Sequence, residues 1–283
     1  MKHFLSLFLI FAMAPIWSQN LKFQSDGGQI SYLKMGSGSK NFILLPGIGD
    51  LKENYLPLAK DLEKEGTVYL MDLRGLGGSD VSFSSYGPNE TAADTIGFIQ
   101  TNGLENVYII ANSMSAASAI IVKKKLPYQI KGLALSGPFV RDKELPSFGV
   151  KLAIQIGFRG FWGASAWTSY YESLYPKNKP QDLEIHLQNI KSNLQEEGRL
   201  IALRSMLFAP KKESEEAIAA IQGGVVVVMG ALDPDFESPE EEAKWIAEKT
   251  KGSYFLFETS GHYPYREEPG RFLKAIEFLW QKK

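Results

Sequence analysis

Apolar positions follow two alternating textures along the chain. Short, nearly continuous apolar runs occur at NFILLPG (41–47), TVYLMDLRG (67–75), VYIIANS (107–113), IKGLALSGP (130–138), GVVVVMGALDP (224–234) and SYFLFETSGH (253–262). Between them, helix-patterned stretches lie near 53–65, 89–102, 114–126, 239–250 and 267–281. A strand that is apolar throughout is buried on both faces, and helices between such strands supply the cover. The pattern therefore predicts an α/β fold with a mostly parallel sheet flanked by helices. Ahead of these runs, LKFQSDGGQISYLKMG alternates around Asp26-Gly27-Gly28, which is a hairpin signature.

One segment breaks the alternation. Residues 141–221 contain no β-rich run, only helix-length stretches with many aromatics: Phe148, Phe158, Phe161, Trp162, Trp167, Tyr170, Tyr171 and Tyr175. This predicts a helical cap inserted between two core strands, so that the core spans 19–140 and 222–283. The insertion follows the IKGLALSGP strand, whose carboxyl end shares a side of the sheet with Ser113. A mobile cap roofing that side is expected, with some aromatics lining an apolar pocket and most forming the cap's own core.

The first residues form a different element. MKHFLSLFLIFAMAPIWSQN has Lys2 followed by a mostly apolar run from Phe4 to Trp17. About 20 apolar residues are needed to span a bilayer, so the run is short for a membrane helix. It predicts a signal peptide over 1–18, a mature chain from Gln19, and export to a periplasmic or extracellular location without a stable membrane anchor.

Composition narrows the function classes. The 283 residues carry a net charge of −1 with scattered Lys and Arg, which gives no basic face for nucleic acid. There is no cysteine, which excludes disulfides, thiolate metal sites and a cysteine nucleophile. No metal-ligand spacing and no phosphate-cradling glycine loop opens a helix. No cofactor is expected, and the partner implied is a small-molecule substrate with an apolar group.

In open parallel sheets, sites form beyond the carboxyl ends of the strands. Ser113 follows the 107–112 run, Asp233 the 224–230 run and His262 the 253–257 run. A serine hydroxyl is a weak nucleophile at neutral pH and needs a base. Of the three histidines, His3 lies in the leader and His186, in QDLEIHLQNI, reads as a surface or cap residue. His262 is left as the candidate base. Asp72 and Arg74, among Gly75, Gly77 and Gly78, read as loop-fixing residues. Tyr263 and Tyr265 read equally as pocket or packing residues.

The chain order Ser, Asp, His is that of nucleophile-elbow hydrolases, and the sequence resembles the α/β-hydrolase superfamily across roughly residues 22–283. The elbow pattern G-x-S-x-G stands as Ala111-Asn112-Ser113-Met114-Ser115, LPGIGD resembles the oxyanion loop, and MDLRGLGGSD resembles the family's D-x-R-G-x-G-x-S signature. MGALDPDF and SGHYPYREEP resemble the acid and histidine loops. Both flanking glycines of the elbow are replaced, by the small residues Ala111 and Ser115, and Pro46 stands where the family often has histidine.

The resemblance implies a serine hydrolase with a Ser113–His262–Asp233 triad that cleaves an ester, thioester or related acyl bond. Asp233 is preferred over Asp235 because it directly follows the strand and completes the GALD pattern. Met114, the residue after the nucleophile, supplies one oxyanion amide, and the resemblance implies Ile48 for the other. The same triad also suits a carbon–carbon bond hydrolase or an acyltransferase. Serine at position 115 also occurs in a signalling branch of slow-turnover ligand receptors.

Overall fold

The computed structural model describes residues 20–142 and 155–281. The leader segment 1–18 and Phe148 lie outside these residues. The chain folds into an eight-stranded sheet in the order β1-β2-β4-β3-β5-β6-β7-β8. The strands are β1 (Leu21–Ser25), β2 (Gly28–Met35), β3 (Asn41–Leu45), β4 (Thr67–Met71), β5 (Val107–Asn112), β6 (Ile130–Ser136), β7 (Val225–Gly230) and β8 (Ser253–Phe257). β1 and β2 form the antiparallel hairpin turned at Asp26-Gly27, and β2 joins β4 antiparallel. All pairings from β4 to β8 are parallel.

The helices are α1 (Leu56–Leu62), α2 (Pro88–Thr101), α3 (Ser115–Lys125), α4 (Gly163–Ser173), α5 (Leu183–Leu194), α6 (Arg199–Leu207), α7 (Lys212–Ile218), α8 (Pro239–Thr250), α9 (Pro264–Glu267) and α10 (Pro269–Ile276). The pleat sends alternate strand residues to opposite faces. Phe42, Leu44, Val68, Leu70, Ile110 and Val226 meet α1 and α10 on one face. Ile43, Leu45, Met71, Ile109, Leu133 and Val227 meet α2, α3 and α8 on the other. Both faces are dry, which is why the strands read as unbroken apolar runs. Each fully buried Leu, Ile, Val or Phe contributes about 1.5–3 kcal/mol.

Helices α4 to α7 lie between β6 and β7 in sequence. Their apolar residues do not form a separate core. Trp167, Tyr171, Leu174, Tyr175, Ile190 and Met206 join the same cluster as Phe42 and Leu44. The aromatics divide sharply: Tyr171 and Tyr175 are fully buried, while Phe161 is 87% and Trp162 47% exposed. Phe161 and Trp162 pack edge to face on each other at 4.9 Å between ring centroids.

Candidate active site

The parallel arrangement brings the carboxyl ends of β3, β5, β7 and β8 to one edge of the sheet, and the site is built there. Ser113 sits between the end of β5 and the start of α3 with φ of +57°. A non-glycine residue in this region is strained, and the surroundings must hold it there. They do so through three backbone bonds. Ser113 N–H donates to the Ser136 carbonyl at 3.0 Å, and its own carbonyl accepts from Phe139 N–H at 3.1 Å and Ala116 N–H at 3.0 Å.

The neighbours of Ser113 do more than stay small. Ser115 is fully buried, and its hydroxyl donates to the Pro46 carbonyl at 2.5 Å, which joins α3 to the loop after β3. The Asn112 amide donates to the Ser136 carbonyl at 3.0 Å and the His262 carbonyl at 3.2 Å. Gly47 is required by this crowding: a Cβ there would sit 2.7 Å from Asn112 Oδ1 and 3.0 Å from Ser113 Cβ.

Asp233 and His262 meet at 2.7 Å, Oδ2 to Nδ1, with side chains 0% and 3% exposed. The second Asp233 oxygen accepts from the Asp235 amide at 3.1 Å. Burial alone lowers the imidazole pKa, but the Asp233 carboxylate, with Asp235 and Glu267 nearby, outweighs it and raises the value to about 9. With Nδ1 held by Asp233, Nε2 is the ring nitrogen left to act elsewhere. The His262 amide donates to the Leu174 carbonyl at 3.0 Å. The Glu267 carboxylate takes the Gly261 amide at 2.8 Å, and burial raises its own pKa to about 7.

Ser113 and His262 line one cavity of about 420 Å³. Among the described residues their side chains are not hydrogen-bonded to each other, as is common in a hydrolytic site without substrate. Ile48, Met114, Phe139, Trp167, Leu174 and Leu207 form the apolar walls. Among the described residues, neither the Ile48 nor the Met114 amide has a hydrogen-bond acceptor. Two such amides beside a serine hydroxyl are what a developing oxyanion needs. A cleft of about 540 Å³ beside β1 and α2 is larger, but no histidine lines it.

The other residues singled out in the sequence take the following places. Asp235 faces the cavity, where its carboxylate accepts from the Tyr170 hydroxyl at 2.7 Å, and burial raises its pKa. Trp167 lines the cavity, but Trp162 faces outward. Tyr263 lines the cavity, whereas Tyr265 stacks on Tyr55 at 4.3 Å between centroids. Asp72 accepts from Lys52 Nζ at 2.6 Å and the Gly78 amide at 2.9 Å, and Arg74 forks onto Asp94 at 2.7 and 2.8 Å.

His186 is the largest departure. It is not a surface residue: it is 7% exposed, and its Nε2 lies 2.7 Å from Oδ1 of the fully buried Asp50. Its place in the apolar stripe Leu183, His186, Ile190, Leu194 is the sequence signal that marks it as buried. The partner, 136 residues away, leaves no local trace.

One group of possible metal ligands exists among the described residues: Asp233, Asp235 and His262, with donor atoms within 4.8 Å of one another. Asp233 and His262 Nδ1 are committed to each other, and both Asp235 oxygens accept from Tyr170. Each of the three residues is therefore engaged in a hydrogen bond within the protein, while His262 Nε2 stays open.

A strained serine beyond β5 and a buried acid–histidine pair beyond β7 and β8 lie at one edge of an open α/β sheet. The chain belongs to the alpha/beta hydrolase family, whose model matches residues 42–275. It is 29% identical over 136 residues to 2-hydroxy-6-oxononadienedioate/2-hydroxy-6-oxononatrienedioate hydrolase 2 of Pseudomonas putida, covering 44% of this chain and 46% of that enzyme. The match thus spans about half the length of that relative. Among solved structures it resembles a thermophilic esterase from Thermogutta terrifontis, with a TM-score of 0.74, 21% identity and coverage of 92% and 97%. It also resembles 2-hydroxy-6-oxo-6-phenylhexa-2,4-dienoate hydrolase from Rhodococcus sp. strain RHA1, with a TM-score of 0.77, 17% identity and coverage of 94% and 99%. At these identities the structural likeness speaks to fold.

Proposed function

We propose that the protein is a cofactor-free serine hydrolase that cleaves an acyl bond, an ester or thioester, through a covalent acyl-enzyme. One observation carries this reading: Ser113, at positive φ, shares a cavity with Ile48, Met114 and His262, and His262 is paired to the buried Asp233. Ser113 Oγ adds to the acyl carbonyl carbon and passes its proton to His262 Nε2. The electron pair displaced from the carbonyl becomes an oxyanion held by the Ile48 and Met114 amides. Collapse expels the alcohol or thiol, which takes the proton from His262. Water then repeats the addition on the acyl-enzyme and releases the acid. Asp233 fixes the ring with Nδ1–H toward itself and stabilises the imidazolium. The apolar walls suit a substrate with an apolar acyl or alcohol group.

The Pseudomonas and Rhodococcus proteins are named for hydrolysis of oxo-dienoates, and those names support a second reading, carbon–carbon bond cleavage by the same triad. Hydrolysis of p-nitrophenyl esters of graded acyl length, beside a vinylogous 1,5-diketone acid, separates the two. Turnover of esters that is lost in Ser113→Ala supports the first reading. Turnover of the diketone alone moves the assignment to the second, and no turnover of either points to a slow ligand-binding protein. The leader supports export with a mature chain from Gln19. Intact mass of the native protein checks this, and a retained Met1 contradicts it.

A further inference from the structure

The loop that carries Ile48 is held at Pro46, Gly49 and Asp50, and two of the holds come from the helices between β6 and β7. At its start, the Pro46 carbonyl accepts from Ser115 on α3 at 2.5 Å. The Gly49 carbonyl accepts from Trp167 Nε1 on α4 at 3.1 Å. Gly49 has φ of +67°, and a Cβ there would lie 2.3 Å from the Trp167 ring. At the end of the loop, the Asp50 carboxylate accepts from His186 Nε2 on α5, from Asn54 Nδ2 and from the Leu51 amide, each at 2.7 Å. Asn54 Nδ2 also reaches the Tyr171 and Tyr265 hydroxyls at 2.9 and 3.0 Å.

Neither Asp50 nor His186 lines the cavity. They do not touch a substrate, so any role they have in turnover acts through the loop. A buried carboxylate is costly unless its oxygens are hydrogen-bonded, and once bonded it is fixed in direction. An oxyanion donor in turn works only when it is aimed beforehand, within about 2.7–3.1 Å of where the charge will form.

We propose that Asp50 and His186 are positioning residues: the pair is a strut through which α5 holds the Ile48 amide in its oxyanion-binding direction. Hydrolysis then requires α5 to be docked, and a motion of α5 that admits substrate also dismantles half of the oxyanion hole. This rests on the serine-hydrolase reading above.

The test compares wild type, His186→Ala, His186→Gln and His186→Phe on a p-nitrophenyl ester and a peptide-free alkyl trifluoromethyl ketone. The ketone adds to Ser113 Oγ reversibly; the serine proton moves to His262 and the carbonyl oxygen becomes the oxyanion. In His186→Ala, kcat is expected to fall about ten- to a hundredfold, less than the hundred- to thousandfold of losing a donor outright. KM should stay within about threefold and ketone affinity should drop by the same factor as kcat, as expected for a contact made only in the transition state. His186→Gln, whose side-chain amide can donate to Asp50, should recover most of both.

A folded His186→Ala with wild-type kcat and ketone affinity overturns the strut, as does a kcat loss with ketone affinity unchanged. If His186→Ala does not fold, His186→Phe, which keeps a ring in place but offers Asp50 no donor, must show the same paired loss; wild-type behaviour there overturns the proposal. Ser113→Ala separates the two layers of the argument. If it retains turnover, the hydrolase reading fails; if it is inactive while His186→Ala behaves as wild type, only the strut fails.

Discussion

Among the described residues there are two buried histidine–aspartate pairs with the same separation, 2.7 Å, and nearly the same burial. Asp233–His262 opens onto a cavity that contains Ser113. Asp50–His186 is sealed beneath tyrosines, with the Tyr171 ring 5.8 Å from the imidazole. The contacts within the two pairs are alike, and their surroundings decide what each can do. A pair becomes a base only where the second ring nitrogen faces a nucleophile and a reacting carbon can approach. Otherwise it is a polar clasp, paid for by burial and useful through what it holds in place.

The comparison breaks or sharpens under substitution. The largest contrast is between the two histidines. His262→Ala should lower kcat by about 10⁶, as loss of a triad base does elsewhere. Each variant leaves a buried aspartate short of one donor, Asp233 or Asp50, which costs about 1–3 kcal/mol of stability. Calorimetry should therefore show a lower midpoint in both, by roughly 2–4 °C per kcal/mol, while the activity losses differ by orders of magnitude. The opposite ordering of activity losses would exchange the roles of the two pairs.

Next in size are the two carboxylates of the acid loop. Asp233→Asn should depress kcat by about 10⁴, because the ring loses the partner that sets its tautomer. Asp235→Asn should cost far less. Equal losses, or a larger one at position 235, would make Asp235 the acid.

The third contrast is a titration. With His262 raised to about 9, the neutral base becomes scarcer as pH falls, so kcat/KM should rise through neutral pH, reach half its plateau near 9 and level off above it. Asp235→Asn removes a negative charge that favours the imidazolium, so the limb should move to lower pH. The same pKa shift sets a stability window. The ion-pair contribution is full below the unfolded histidine pKa near 6.5 and is lost as pH rises through about 9. A limb that is flat from pH 6 to 9 would remove His262 as the titrating base.

The smallest effect is on selectivity. Trp167→Ala opens a cavity wall and also frees the Gly49 carbonyl, so beyond a kcat loss common to all substrates it should shift acyl-length preference a few-fold, since each methylene contact is worth roughly 0.8 kcal/mol. Trp162→Ala, at an outward-facing position, should leave the preference unchanged.

These contrasts also mark what the sequence could and could not say. The sheet, its flanking helices and the three strand-end residues were legible because they rest on local periodicity and on one rule about where loops emerge. The hydroxyl of Ser115 was not legible. Its small size met the elbow's steric demand, and nothing nearby announced that its oxygen reaches Pro46 across 69 positions. Asn112 was hidden for the same reason, since its second partner, the His262 carbonyl, lies 150 residues on. Trp162 and Trp167 are equal in composition and five residues apart. Only the direction of α4 sends one inward and leaves the other out. The Asp50–His186 clasp needed a three-dimensional contact between a loop after β3 and a helix following β6.

The central claim is that Ser113, not the buried hydroxyl of Ser115 two positions away, is the nucleophile. Peptide mapping after reaction with a fluorophosphonate tests it directly. The account predicts one adduct, on Ser113, present in Ser115→Ala and absent in a folded Ser113→Ala. An adduct on Ser115 or no serine adduct at all would contradict it.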